Sequence, residues 1–264
     1  MSRQITPQSS QEITLNSDIG ESFGAWKMGA DDLIMPHIDC ANVACGFHAS
    51  DPLTMLKTVK LAKQHNVTIG AHPAYPDLVG FGRRHMALKP DEVTALIQYQ
   101  VGALQGICAG QKTEVSYVKP HGALYNDMLS DGQQFDAVCQ AIAALQDDRH
   151  EPLPLMVMAT PENDAWRHRA QQFGVELWFE GFADRAYDDN GQLRSRSNPD
   201  AVHGDVEAMY AQAEAFATGR AIESVSGKSL QIEIDSLCVH GDNPKAIETV
   251  EKLRSIVRQA NDNE

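Results

Sequence analysis

Seven short apolar runs alternate with amphipathic stretches along this chain, and that alternation restricts its fold more than any other feature. The runs are "EITLNSD" (12–18), "IDCANVAC" (38–45), "VTIGAH" (67–72), "VSYVK" (115–119), "PLMVMAT" (154–160), "VELWFE" (175–180) and "DSLCVH" (235–240). Helical periodicity fills the gaps. "DPLTMLKTVKLAKQH" opens on Asp51 as a cap and Pro52 in the first turn. "KPDEVTALIQYQVGALQGICAG", "GQQFDAVCQAIAALQDD", "ENDAWRHRAQQFG" and "NPKAIETVEKLRSIVRQA" keep the same period, and 200–219 reads as a further helix. Strands joined through helices pair in parallel, because a parallel neighbour needs a long crossover. Such a sheet is either open and doubly wound or closed. A dinucleotide-binding sheet needs a glycine-rich turn after its first strand, but "DIGESFG" places acids where a pyrophosphate would lie. The expectation is therefore a distorted seven-stranded β/α barrel, one domain over 1–264, with loose ends at 1–11 and 259–264.

In either architecture the ligand site forms where the strands exit. The exits are polar at six of the seven runs. They supply Asn16, Asp18 and Glu21; Asn42 and His48; His72; Lys119 and His121; Glu180, Asp184 and Arg185; and His240 and Asp242. One isolated histidine is usually structural, but histidines at four exits of a parallel sheet converge on one rim. Lys119 follows "VSYV" at the mouth of the core, where a carboxylate partner is expected. Gly80, Gly82 and Gly122 suit tight turns or close backbone approach to a ligand. Asp18, His48 and His72 offer the donor types of a divalent metal.

Two other patterns fail on geometry. His37, Cys40, Cys45 and His48 are spaced like a zinc site, but an extended 38–45 separates the outer histidines by roughly 25 Å and turns the cysteines to opposite faces. "SGKS" (226–229) resembles the end of a phosphate-binding loop, yet Ile222 stands where its first glycine belongs, and the segment leads into a strand. The chain carries no autonomous ATP loop on this reading.

Composition narrows the partners. With 22 basic and 36 acidic side chains the formal charge is −14, which disfavours nucleic acid and anionic membranes. No apolar run is long enough to span a bilayer, and "MSRQITPQSSQE" lacks an apolar signal core. Five cysteines, several inside apolar segments, fit a reduced, cytoplasmic chain.

Taken in order, "LNSDIGESFG", "ANVACGFHASDP", "IGAHPAYPDLVGFGRRHM", "VKPHGALYN", "FEGFADRAYDDNGQLRSR" and "CVHGDNPKA" closely resemble the LamB/YcsF family over about residues 12–258. That resemblance implies a barrel related to glycoside hydrolase and deacetylase barrels. It also implies ATP-dependent opening of the cyclic amide 5-oxoproline to glutamate, carried out with two partner subunits, B and C. ATP, with its magnesium, would then be handled partly or wholly by those partners. On this reading Asp18, Glu21, His48, His72, Lys119 and His121 are the catalytic candidates. Asn42, Arg83, Asp184, Arg185, His240 and Asp242 are the substrate-binding candidates, with Arg83 or Arg185 gripping the substrate carboxylate. Lys119 and His121 would stabilise charge on the amide oxygen or on a phosphorylated intermediate, while the acids and the other histidines move protons. A stand-alone metal-dependent hydrolase or deacetylase, acting on a carbohydrate or small amide, is the alternative. The chain departs from the family pattern at Ser50, where glycine is usual and where a serine suits a helix cap, and in "SNPDAVHGD" (197–205).

Overall fold

The computed structural model describes residues 12–146, 151–239 and 246–262. Seven parallel strands close a barrel in the order β1 (Thr14–Ile19), β2 (Cys40–Ala44), β3 (Thr68–His72), β4 (Tyr117–Val118), β5 (Leu155–Met158), β6 (Leu177–Phe182) and β9 (Ser236–Cys238). Each overlaps one of the seven apolar runs. Parallel strands covered on both faces read as continuous apolar segments, which is why the pattern found them. The barrel is uneven. β4 contributes a single residue pair, Val118 with Leu155, to its contact with β5, whereas β2 and β3 align over five.

Helices α1 (Asp31–Ile34), α2 (Pro52–His65), α3 (Pro90–Gly110), α4 (Gly122–Ser130), α5 (Gly132–Gln146), α6 (Asn163–Gln171), α7 (Val206–Ala217) and α8 (Ala246–Asn261) accompany the strands. α2 starts as the sequence dictates: the Asp51 carboxylate accepts from the Leu53 and Thr54 amides at 2.9 and 3.2 Å. Asp51 rather than Ser50 makes this cap. Ser50 lies just before it, buried and at φ 72°, a left-handed conformation that a glycine adopts more easily. α8 runs to Asn261, whose side chain bonds both the amide and the carbonyl of Ile13. Residues 259–261 are therefore ordered helix instead of a loose end. The "SGKS" segment turns a two-stranded hairpin, β7 (Ile222–Glu223) with β8 (Ser229–Leu230), around Gly227 at φ 83°. It leads into no helix and so cannot cradle phosphates as a strand–loop–helix does.

Large side chains fill the lower barrel. Cys40, Tyr117 and Met156 pack together with Trp178, and a Cβ on Gly70 would lie 2.1 Å from the Tyr117 ring, so only glycine leaves room for it. Cys40 is thus core, while His37 sits outside beside Glu251 at 3.5 Å, which disposes of the zinc-like spacing. All five cysteines are buried and free. Burial lifts the Cys40 and Cys45 thiols to about 12, so they stay protonated. No helix among the described residues is long and apolar enough to cross a membrane.

Candidate active site

The upper barrel is polar, and its floor is built around Lys119. This residue leaves the end of β4, and its ammonium lies 2.9 Å from Glu180 Oε2, 3.1 Å from Asp18 Oδ1 and 3.2 Å from Asn16 Oδ1. It donates to Asp18 and Asn16 on β1 and toward Cys238 Sγ at 3.4 Å, and Glu180 on β6 meets it as an ion pair. Burial alone pulls the ammonium down, but Asp18 and Glu180 outweigh it, and Lys119 is held well above the usual lysine range. Asn42 Nδ2 donates to Asn16 Oδ1 at 2.9 Å and to Asp18 Oδ1 at 2.8 Å, Tyr117 donates to Asn42 Oδ1 at 2.5 Å, and Tyr125 donates to Glu180 Oε1 at 2.7 Å. The cage is a closed polar network in which each charge faces an opposite charge or a donor.

Beside it lie three imidazoles. His48 and His121 stack with centroids 3.8 Å apart and planes 7° apart, and His72 meets His121 edge-on. His72 Nδ1–H donates to the Lys119 carbonyl at 2.6 Å, and His121 Nε2–H donates to the Phe81 carbonyl at 2.9 Å. Burial first, then the neighbouring histidines, push His48 and His121 well below the usual imidazole range. Glu21 closes the group, with Oε1 3.4 Å from His48 Nε2 and 3.9 Å from His121 Nδ1. Gly82 makes the stack fit. At φ 64°, a Cβ there would lie 2.8 Å from His48 and 2.9 Å from His121. Gly122 in turn lets the Gly82 carbonyl approach and accept from the Ala123 amide at 2.8 Å. These glycines pack on the histidines and on each other, both at positive φ as tight turns require, and Gly122 also lines the pocket.

A pocket of about 550 Å³ opens above both clusters. Asp18, Glu21, His72, Lys119, His121 and Glu180 line its floor, and Arg83, Arg185, Arg194 and Arg196 stand around its wall. Arg185 is buried, with two N–H donors on the carbonyls of Ala201 and Arg194. Burial and the nearby Arg196 pull its guanidinium below the usual range. Arg83 is exposed and lies over the Phe81 ring at 5.1 Å. Arg84 is engaged elsewhere, in an ion pair with Asp77.

The structure thus gathers Asp18, Glu21, His48, His72, Lys119 and His121 into one region. Arg83 and Arg185 share the pocket. Asn42 is fully buried beneath Asp18, bonded to it and off the pocket wall, so it holds the floor instead of facing a ligand. Asp184 is half-buried and does not line the pocket. His240 and Asp242 lie outside the described residues. Glu180, Asn16 and Tyr125 belong to the floor, although the sequence pattern did not place them among the catalytic or binding candidates. Glu180 had a signal, as the one carboxylate inside "LWFEGF". Of the metal candidates, His48 and His72 join Glu21 and His121 in a cluster with one donor atom from each all within 4.8 Å of one another, and Asp18 Oδ2 lies 3.4 Å from His72 Nε2.

Known proteins extend the comparison. The LamB/YcsF family profile matches residues 13–263. A Pseudomonas fluorescens protein, named as the A subunit of 5-oxoprolinase, is 53% identical over 94% of this chain and 97% of its own length. A Vibrio parahaemolyticus protein of the same name is 50% identical over 92% and 95%. The crystal structure of a lactam utilization protein from Thermus thermophilus superposes with a TM-score of 0.85 at 38% identity, over 94% of this chain and 97% of that one. A more distant structure, a cellobiose-phosphate cleavage protein of Enterococcus faecalis at 14% identity and TM-score 0.57, shares the fold alone. With a profile that spans nearly its whole length and relatives matched end to end, the chain belongs to the LamB/YcsF family.

Proposed function

We propose that this chain is the lactam-opening component of an ATP-dependent 5-oxoprolinase, hydrolysing the ring C–N bond of 5-oxo-L-proline to give L-glutamate. One observation carries the reading: end-to-end similarity, at about half identity, to proteins named as the A subunit of 5-oxoprolinase. The pocket supports it chemically. Amide resonance makes a lactam carbonyl a poor electrophile, and the ring holds the amine in place for reclosure, so opening needs both activation and proton delivery. The floor offers carboxylates and imidazoles for proton transfer. Lys119 pairs with Asp18 and Glu180, which fixes two carboxylates at the pocket floor. Asp18 Oδ2 lies 3.4 Å from His72 Nε2, which sets this carboxylate at the edge of the histidine cluster. On the wall, Arg83 or Arg185 suits the substrate carboxylate.

Lys119 enters this mechanism in a changed role. Its donors are occupied within the protein, so it orders Asp18 and Glu180 and acts on the amide oxygen only after Asp18 moves. ATP, with magnesium, is assigned to partner subunits B and C. A hairpin at 222–230 in place of a phosphate-binding loop, and relatives named as one component of a larger enzyme, support that division. The test is 5-oxoproline turnover with and without ATP, for this chain alone and for its mixture with subunits B and C. Glutamate formed only in the complete, ATP-containing mixture is the expected result. Hydrolysis of another amide by this chain alone, without ATP, would overturn it.

A further inference from the structure

We infer that Glu21, His48, His72 and His121 form a binding site for one divalent transition-metal ion at the pocket floor. The argument begins with tautomers. His72 spends Nδ1–H on the Lys119 carbonyl and His121 spends Nε2–H on the Phe81 carbonyl. A carbonyl oxygen only accepts, so each contact fixes the ring proton on that side. In the neutral rings His72 Nε2 and His121 Nδ1 then carry lone pairs, and these two atoms face each other at 2.9 Å. Two lone pairs at hydrogen-bond distance repel unless a cation serves them.

A single proton shared between those nitrogens would relieve that pair alone. It would do nothing for His48. That ring is fully buried, neither of its nitrogens has a hydrogen-bond partner, and Nε2 lies 3.4 Å from Glu21 Oε1. An orphaned buried imidazole is costly unless something absent from the chain completes it. A metal ion among the four donors would serve His72 Nε2, His121 Nδ1, Glu21 and one nitrogen of His48 together, with the stacked His48 and His121 rings turning to face it. Tetrahedral ligands bound at about 2.1 Å stand roughly 3.4 Å apart. Three of the six separations here are 2.9, 3.4 and 3.9 Å, and all lie within 4.8 Å. The backbone carbonyls on the far ring nitrogens fix the orientation of two of these rings, as hydrogen-bond partners of metal-bound histidines do.

Three nitrogens and one carboxylate select zinc or cobalt over magnesium, calcium or manganese, which take mainly oxygen. Asp18, whose Oδ1 is held by Lys119 and Asn42, is not one of the four residues whose donor atoms lie within 4.8 Å of one another. Three of the four ligands line the pocket, so a bound ion would be within reach of a substrate oxygen and could polarise a carbonyl there. Metal binding itself requires neither ATP nor the lactam, so this inference and the proposed activity can fail separately.

The experiment is a titration of the full chain, stripped with a chelator, with Co²⁺ and then Zn²⁺. It is followed by the visible absorption of cobalt and by elemental analysis after gel filtration. The expected result is one equivalent of Co²⁺ with a low-coordinate spectrum, displaced by Zn²⁺. Folded Glu21→Gln and His121→Ala proteins should each bind at least ~10–100-fold more weakly, while Asp18→Asn retains the ion. Absence of saturable binding to the wild-type chain overturns the inference. So does loss of binding in Asp18→Asn with retention in Glu21→Gln and His121→Ala. A ¹⁵N spectrum showing one proton shared by His72 and His121, unchanged by added metal, would overturn it too.

Discussion

The Lys119 cage and the histidine cluster are neighbours, equally buried, and opposite in how they meet their polar groups. In the cage, partners come from the protein itself: the ammonium has two carboxylates and an amide oxygen, and two tyrosines donate into the same network. In the cluster, backbone carbonyls lock two rings, yet a third ring keeps two buried nitrogens without hydrogen bonds. Burial of polar groups is tolerated only when they are satisfied. The cage meets that requirement within the fold, with Glu180 Oε2 met by the ammonium's charge, so breaking it is costly. The cluster leaves it unmet, and such exceptions concentrate at sites that bind or react. Substitutions in the two places should therefore separate stability from function.

The largest effect is expected at the cage. Lys119→Met removes the cation but leaves Asp18 and Glu180 facing each other in the interior, and a broken buried pair costs about 3–5 kcal/mol. Chemical denaturation should show that loss together with loss of turnover. An unchanged midpoint would mean that the cage is not a closed unit. Tyr117→Phe probes the next layer. Its hydroxyl donates to Asn42 Oδ1 at 2.5 Å, and deleting it strands a buried acceptor at about 1–3 kcal/mol. Since Asn42 holds Asp18, turnover should fall as well, and a variant with full activity would detach Asn42 from the site.

Sequence alone made these two regions partly visible, for reasons that lie in particular residues. The seven strands showed because both faces of a parallel barrel strand are covered. The exits showed because Asp18, His48, His72, Lys119 and His121 interrupt apolar runs at their ends. Depth was hidden. Asn42 and Arg185 look alike as polar residues beside strands, yet one is locked under Asp18 and the other lines the pocket. Glu180 joins the cage through Lys119 and Tyr125, contacts across the barrel that no local pattern encodes. The meeting of Glu21 and His121 with His48 and His72 is a matter of three dimensions. α4 was missed because it begins at once after "KPH", on a glycine with positive φ, without a polar cap or a loop to announce it.

A smaller effect is expected behind the histidine cluster. Asp31 Oδ2 accepts from the Gly20 amide at 3.0 Å and so steadies the turn that carries Glu21. Burial, joined by repulsion from Glu21 and Asp32, raises its carboxyl to about 6. The folded state therefore binds this proton more tightly than the unfolded one. Stability from this group is complete below about pH 4 and is lost as pH climbs through 6. Asp31→Asn keeps an acceptor for Gly20 and removes the ionisation. It should gain on the order of 1 kcal/mol at pH 7, a gain that disappears below about pH 4 in melts across that range. A constant difference at all pH values would show that the carboxyl does not titrate in this window.

The smallest stability change is expected at His48, and it tests the contrast between cage and cluster most directly. Leucine fills much of the same space, and neither ring nitrogen of His48 makes a hydrogen bond that the substitution could break. What is lost is the 3.8 Å stacking on His121; what is gained is relief from burying two unserved nitrogens. The metal-free His48→Leu protein should unfold within about 1 kcal/mol of the metal-free wild type, or slightly later. Its turnover with the partner subunits should nevertheless collapse. A large loss of stability in the absence of metal would place His48 with Lys119, as a residue the fold itself needs. Unchanged turnover would leave its buried nitrogens without a use. Stability kept and activity lost is the one outcome consistent with a cluster that the fold holds open for chemistry.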